Sequence, residues 1–207
     1  YLVKLLMTLQ KGCGNMSKLV IGITGKSGSG KSTVAEEIGK AIPNSVVVEV
    51  DSIGHDALCR PTILENLIQI FGNEILDDKG NVDRKKLGNI VFAERKKMQK
   101  LGKITGAYIS EKIKKIIDEN QGVVILDWIL LPLDSAWQRC DLKILIQTDF
   151  QKRKENVLLR DSIPAEYFDA RETTSIEYNH DEFDYIFDND YSWSTIEAIV
   201  KTISLKI

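Results

Sequence analysis

The chain has 207 residues, of which 43% are apolar and 28% are charged, and its formal net charge at pH 7 is −2. This length allows one well-buried core with a small inserted subdomain, but not two large independent domains. The nearly balanced charge does not indicate a nucleic-acid or membrane partner, and no run approaches the roughly 18 apolar residues of a membrane-spanning helix. We therefore expect small-molecule substrates, while the oligomeric state stays open.

The first fifteen residues are set apart from the rest. Their apolar start is short and is interrupted by Lys4, so it does not fit an export signal. Met16 directly precedes an apolar strand. We expect residues 1–15 to be an upstream extension and one domain to span 16–207. The three cysteines have no spacing that suits a metal site or a redox pair, which favours the reducing cytoplasm.

Apolar runs rich in β-branched residues predict the strands of the fold. We place them at 19–24, 45–50, 122–126 and 142–147, with a last short strand at 184–189. Helical spacing follows the first strand over 33–42 and closes the chain over 194–207. Nearly continuous apolar strands separated by helices indicate an α/β fold of three layers, with a mostly parallel sheet covered on both faces.

Two longer stretches depart from this alternation. Residues 56–120 are mostly helical in pattern and rich in lysine, and they are too many for a plain crossover. Residues 150–180 are polar and basic, and Pro164 stands where a second helix can begin. We predict a helical substrate subdomain inserted at about 56–120 and a helical lid at about 150–180.

Residues 25–32 read G-K-S-G-S-G-K-S and fit the G-x-x-x-x-G-K-S pattern of a phosphate-binding loop. The octet follows a predicted strand and precedes a predicted helix, which is the context that the pattern requires. Glycines let backbone N–H groups converge on phosphate oxygens, and the helix N-terminus adds its positive end. We predict that ATP is bound by Gly25, Ser27, Gly28, Ser29, Gly30, Lys31, Ser32 and Thr33, in a P-loop NTPase fold.

Two residues of this loop have expected chemical roles. Lys31 is expected to reach the β- and γ-phosphates of ATP, and the Ser32 hydroxyl is expected to hold Mg²⁺. The alternative is a glycine-rich turn that only links a strand to a helix. The complete pattern in its strand and helix context favours the phosphate-binding loop.

Two aspartates follow apolar strands, Asp51 after the second and Asp127 after the third. Ligands of open parallel α/β sheets bind beyond the carboxyl ends of the strands, so both side chains can face the nucleotide. We predict that Asp51 is the base that accepts the proton of an acceptor hydroxyl, and that Asp127 assists Mg²⁺ together with Ser32. The alternative is that either carboxylate caps a helix N-terminus.

Further motifs, in their order and spacing, resemble those of the dephospho-coenzyme A kinases over nearly all of the chain from Leu19 onward. The matching segments are the loop through Ala35, Asp51 followed by Gly54-His55, residues 71–76 and 78–84, Leu87, Val91-Phe92, Arg160-Asp161 and residues 184–189. The resemblance implies transfer of the γ-phosphoryl group of ATP to the ribose 3′-hydroxyl of dephospho-coenzyme A, with Mg²⁺ required.

The resemblance also implies site roles. Asp51 is the base, the helical insertion holds the acceptor, and the lid arginine Arg160 neutralises the transferring group. Arg153 and Arg171 either assist it or lie on a solvated basic helix face. His55 is either an acceptor contact or a polar cap residue.

The departures from the family pattern lie around the acceptor. Gly106-Ala107 stands where the family has His-Pro, Ile129 begins the segment where it has Pro-Leu-Leu, and Asn156 replaces a lid arginine. Two alternatives therefore stay open. The chain is either a P-loop kinase for another nucleoside or nucleotide acceptor, or an ATP-binding protein without catalysis.

Overall fold

The structure is a computed structural model that describes residues 18–207, so the predicted extension at 1–15 lies outside the described residues. Five strands form one parallel sheet in the order β2–β3–β1–β4–β5. Their bounds are β1 Leu19–Thr24, β2 Ser45–Glu49, β3 Val123–Asp127, β4 Leu142–Gln147 and β5 Tyr185–Asp188. All five predicted strands are present, and the predicted three-layer α/β fold is confirmed.

The helices lie between and after these strands. Within residues 18–207 the α-helices are α1 Lys31–Ala41, α2 Val50–Leu58, α3 Pro61–Phe71, α4 Arg84–Phe92, α5 Arg95–Glu119, α6 Phe150–Asp161, α7 Ala165–Thr173 and α8 Trp193–Ser204. One residue was assigned to the wrong type of element. Val50 was predicted to end the second strand, but it is the first residue of α2. Glu49 is the last residue of β2 in register with β3, and the buried Val50 then turns into the helix.

The two faces of the sheet bury two separate apolar clusters. Alternate side chains of a strand point to opposite faces, so Val20 packs with α5 and Trp137, whereas Ile21 packs with α1 and α8. Both clusters are made of side chains that are almost wholly buried. This alternation covers the sheet on both sides and leaves its carboxyl edge for ligands.

The helices between β2 and β3 have an apolar cluster of their own. Side chains of α2, α3 and α4 pack there against α5, with Leu67 and Leu87 among the buried members. Asp83 caps α4 by accepting hydrogen bonds from the backbone N–H groups of Lys85 and Lys86. The helical pattern of 56–120 is therefore present, while its role as an acceptor-binding subdomain stays a prediction.

Helices α6 and α7 follow β4, and Pro164 is the N-cap residue of α7, where the sequence places the start of a second helix. The rings of Tyr167 in α7 and Phe92 in α4 meet edge to face at 6.0 Å, and the Arg171 guanidinium lies 4.8 Å from the Phe92 ring centre. Helix α7 therefore contacts α4 of the helical segment. Their function as a lid stays a prediction.

Among the helices of residues 18–207, none combines the length and the apolar character that crossing a membrane needs.

Candidate active site

The phosphate-binding loop lies between β1 and α1, and two of its glycines have a backbone that requires glycine. Gly28 and Gly30 both have φ of +82°, in the left-handed region that other residues rarely adopt. A Cβ at Gly28 would lie 2.6 Å from Cγ2 of Val157 and 2.9 Å from the carbonyl oxygen of Arg153. Both neighbours belong to α6, so the first predicted lid helix packs directly on the loop.

Three consecutive carbonyl oxygens of the loop accept hydrogen bonds from side chains outside it. The Ser27 carbonyl accepts from Nη1 of Arg153 at 3.1 Å. The Gly28 carbonyl accepts from Nδ2 of Asn156 at 3.3 Å and from the Tyr191 hydroxyl. The Ser29 carbonyl accepts from Nδ2 of Asn189 at 2.9 Å and from Oγ1 of Thr148 at 3.1 Å. Because these carbonyls are bound to the protein, the loop keeps its shape without a ligand. A loop held in this way can present backbone N–H groups to an anion.

The start of α1 brings Lys31 and Ser32 to Asp127. The N-cap of α1 is Gly30, which offers no side chain to the free N–H groups of the first turn. Lys31 Nζ lies 3.9 Å from Oδ1 of Asp127, which is the last residue of β3 and is 3% exposed. These contacts place the predicted lysine, serine and aspartate in one cluster at the carboxyl edge of the sheet.

Asp127 has the properties of a cation ligand. Burial raises the pKa of its carboxyl group, although Lys31 and the nearby Ser32 hydroxyl act in the opposite direction. Its buried Oδ1 has no hydrogen-bond partner within residues 18–207. Carboxylate and hydroxyl oxygens suit Mg²⁺, and a buried oxygen without a partner gains from a bound cation. The pair Ser32 and Asp127 therefore fits the ion that was predicted for it.

The protein offers only part of a coordination shell. The described part of the chain contains no group of three or more acidic, histidine or cysteine side chains that could hold a metal. Mg²⁺ is usually bound by one or two carboxylates together with substrate phosphates and water. The site therefore fits an ion that would arrive with a nucleotide.

Asp51 lies in the first turn of α2 and is exposed. Glu49, two residues earlier, lies opposite Asp127 in the sheet register, and the negative charges of Asp51 and Glu49 both raise the pKa of Asp127. The two carboxylates are therefore close enough at this sheet edge to act on each other electrostatically, while their catalytic roles stay predictions. Neither residue caps a helix: α2 has no side-chain cap, and Asp127 belongs to a strand.

A second polar pair continues from Asp51 toward the helical segment. His55 follows Asp51 by one helical turn, and Nη1 of Arg84 lies 2.9 Å from its Nδ1. All three side chains are exposed. Arg84 belongs to the family-like segment 78–84, but the sequence did not predict it as a residue of the candidate site.

The three arginines of the predicted lid are in different environments. Arg160 is 57% exposed at its side chain and binds its neighbour Asp161 through Nε at 2.7 Å and Nη2 at 3.0 Å. Arg171 lies 3.5 Å from the same carboxylate. Arg153 is only 5% exposed, so the alternative of a solvated helix face is wrong for this residue.

The reason for the burial of Arg153 is a carboxylate that the sequence did not reveal. Glu172, near the end of α7, accepts from Arg153 at 3.2 and 2.9 Å and from Lys26 of the loop at 3.0 Å. Burial acts to raise the pKa of Glu172, but the hydrogen bonds from Arg153 and Lys26 outweigh it, and the pKa is lowered. Lys26 and Glu172 are 146 residues apart, so no local pattern indicates the contact.

A cavity of about 470 Å³ opens beside the loop next to Thr33. Its lining includes Asn156 and Leu159 of α6 and Asn189 and Tyr191 of the segment between β5 and α8. The cavity adjoins the predicted phosphate site and has room for a nucleoside. Asn189 and Tyr191 were missed as site residues, although residues 184–189 had been matched to a family motif.

The chain is similar in sequence to dephospho-CoA kinases. Residues 19–194 match the family model described as dephospho-CoA kinase. A dephospho-CoA kinase of Fusobacterium nucleatum is 30% identical over 91% of this chain and 96% of its own, and that of Aquifex aeolicus is 33% identical over 88% and 94%. A solved Thermus thermophilus protein superposes with a TM-score of 0.74 at 23% identity, over 92% of this chain and 98% of its own. The chain belongs to the dephospho-CoA kinase family.

Proposed function

We propose that the protein transfers the γ-phosphoryl group of ATP to the ribose 3′-hydroxyl of dephospho-coenzyme A, giving coenzyme A and ADP. The observation that carries the proposal is the pairing of Lys31 with Asp127 at the carboxyl edge of the sheet, where the negative charge of Asp51 also acts on the Asp127 carboxyl group. A protein that only binds ATP has no need of an exposed carboxylate beside the phosphate site. The family relatives support dephospho-coenzyme A as the acceptor.

The proposed chemistry is a direct displacement at the γ-phosphorus. The 3′-oxygen forms a bond to phosphorus, the bond to the β-phosphate oxygen breaks, and the hydroxyl proton passes to the Asp51 carboxylate. Lys31 would hold the β- and γ-phosphates and balance charge on the leaving ADP. Mg²⁺, held by Ser32 and Asp127, would supply further charge neutralisation at the phosphates.

The lid and the insertion have roles that follow from this chemistry. Arg160 would exchange Asp161 for the transferring phosphoryl group when a nucleotide binds, because its side chain is exposed and pairs with its neighbour in sequence. Arg84 of the insertion would hold the acceptor together with His55, which lies one helical turn after Asp51. Arg153 would act on the shape of the loop, since Glu172 and the Ser27 carbonyl engage its guanidinium.

The test is ADP release by the purified protein with ATP and Mg²⁺, with product masses measured. Dephospho-coenzyme A should give a product heavier by one phosphoryl group. Coenzyme A is the matched control, because its 3′-oxygen is already phosphorylated and it should accept nothing. Bound ATP without product from dephospho-coenzyme A would contradict the proposal and favour another acceptor or a switch.

A further inference from the structure

Tyr191, between β5 and α8, has a backbone conformation unusual for its residue type. Its φ is +67°, in the left-handed region that glycine adopts freely and that a tyrosine rarely does. A residue is held in such a conformation only where its surroundings determine it, and such residues gather at functional sites. The left-handed backbone of Tyr191 therefore indicates that its surroundings hold it in place.

The contacts of Tyr191 join it to the phosphate-binding loop in two ways. Its backbone N–H donates to Oδ1 of Asn189 at 3.0 Å, and Nδ2 of the same buried Asn189 donates to the Ser29 carbonyl. Its hydroxyl donates to the Gly28 carbonyl. The left-handed turn is thus the conformation in which Tyr191 binds Asn189 through its backbone and the loop through its side chain.

The ring of Tyr191 also lies against the loop. A Cβ at Gly30 would lie 3.6 Å from Cδ1 of Tyr191, and the ring lines the cavity beside Thr33. Asn156, on the predicted lid helix, donates to the same Gly28 carbonyl at 3.3 Å. One oxygen atom of the loop is therefore held both from α6 and from the β5–α8 turn.

We propose that Tyr191 is a positioning residue of the phosphate-binding loop, which holds the Gly28 carbonyl toward the protein and so sets the affinity for ATP. The inference rests on the proposed function only in taking ATP as the ligand of the loop, and it is independent of the acceptor. Because Tyr191 would act before the transfer step, its loss should change ATP binding far more than the rate of transfer. Because Asn156 shares its acceptor atom, the two side chains should act non-additively.

The test compares Tyr191→Phe with Tyr185→Phe. Both remove one hydroxyl, but Tyr185 begins β5, at the opposite end of that strand from the loop. We expect ATP with Mg²⁺ to bind Tyr191→Phe roughly three- to tenfold more weakly by calorimetry, the range of one net hydrogen bond. The kcat at saturating ATP should change less than twofold, and Tyr185→Phe should match the wild type in both measurements.

Tyr191→Gly separates positioning from folding. Glycine tolerates the left-handed backbone, so this variant should fold without backbone strain and bind ATP at least as weakly as Tyr191→Phe. An unchanged Kd in either variant, or a fall in Tm without a change in Kd, would overturn the inference. A wild type that binds ATP but phosphorylates no dephospho-coenzyme A would remove only the acceptor assignment, because the Kd comparison needs no acceptor.

Discussion

The two sides of the candidate site are built differently. On the nucleotide side, Ser29, Asp127, Asn189 and Arg153 are each at most 5% exposed, and the loop carbonyls are bound by side chains. On the proposed acceptor side, Asp51 and the neighbouring histidine and arginine are exposed. The nucleotide side is therefore shaped before any ligand binds, whereas the acceptor side depends on its ligand to complete it.

Two positions that differ from the expected family pattern lie in different surroundings. A Cβ at Gly106 would meet no atom within 4 Å. Asn156, in contrast, donates a hydrogen bond to the Gly28 carbonyl of the loop. A substitution at Gly106 therefore has open space, whereas a substitution at Asn156 would remove a bond to the loop.

The largest expected effect is a loss of turnover caused by a substitution on the acceptor side, with ATP binding retained. Asp51→Asn removes the proposed base, so kcat should fall by about 10²- to 10⁴-fold. The Kd for ATP should stay within twofold of the wild type, because Asp51 is an exposed residue of α2 and is not part of the loop that binds the phosphates. Steady-state kinetics and calorimetry on the same preparation measure the two quantities.

Asp56→Asn is the control for that variant, since it makes the same change at another exposed position of α2. Its kcat should equal that of the wild type. Turnover by Asp51→Asn that matches Asp56→Asn would remove Asp51 from the mechanism.

A smaller effect, on the free energy of unfolding, is expected from removing the ion pairs that Glu172 makes on the nucleotide side. Glu172→Gln leaves the buried Arg153 and the half-buried Lys26 without their shared carboxylate, so the free energy of unfolding at pH 7 should fall by about 2 to 3 kcal/mol. Glu177→Gln is the control, because Glu177 also pairs with Lys26 but is 86% exposed at its side chain, and it should cost below about 0.5 kcal/mol. Urea denaturation measures both.

The effect of Glu172 depends on pH in a defined direction. Its pKa in the folded protein is lowered from the ordinary value of 4.5, so its contribution is complete above about that pH and is lost as the pH falls through the folded pKa. The stability difference between the wild type and Glu172→Gln should therefore shrink on acidification. A difference that stays constant from pH 7 to pH 3 would contradict the assigned ion pairs.

The smallest expected effect tests how open the acceptor side is. Gly106→Ala places a methyl group in free space within α5, so stability should rise by about 0.5 to 1 kcal/mol through helix propensity alone. Gly88→Ala is the contrast, because its Cβ would lie 2.9 Å from the Tyr167 hydroxyl, and no such gain is expected there. Equal gains in stability for Gly106→Ala and Gly88→Ala, measured by thermal denaturation, would show that the packing around the two glycines does not differ.

Sequence reasoning predicted the fold well because its signals are local. Each strand is a continuous apolar run, and the glycines and the lysine of the phosphate-binding loop must be adjacent in the chain to wrap one anion. The end of β2 was placed one residue too late, because Val50 is as apolar as the strand before it and only the sheet register ends at Glu49. The strand ends also brought Asp51 and Asp127 together, since parallel strands share one carboxyl edge.

The surroundings of the loop could not be predicted in this way. Lys26 and Glu172 are 146 positions apart in the chain, and Tyr191 and Gly28 are 163 positions apart. An arginine that will be exposed and one that will be buried in an ion pair also cannot be told apart in a sequence. The sequence by itself therefore determined the strands, the phosphate-binding loop and the carboxylates at the sheet edge. Only the tertiary structure decided which side chains hold the loop and which arginine is buried, because those contacts depend on how distant helices pack over the sheet.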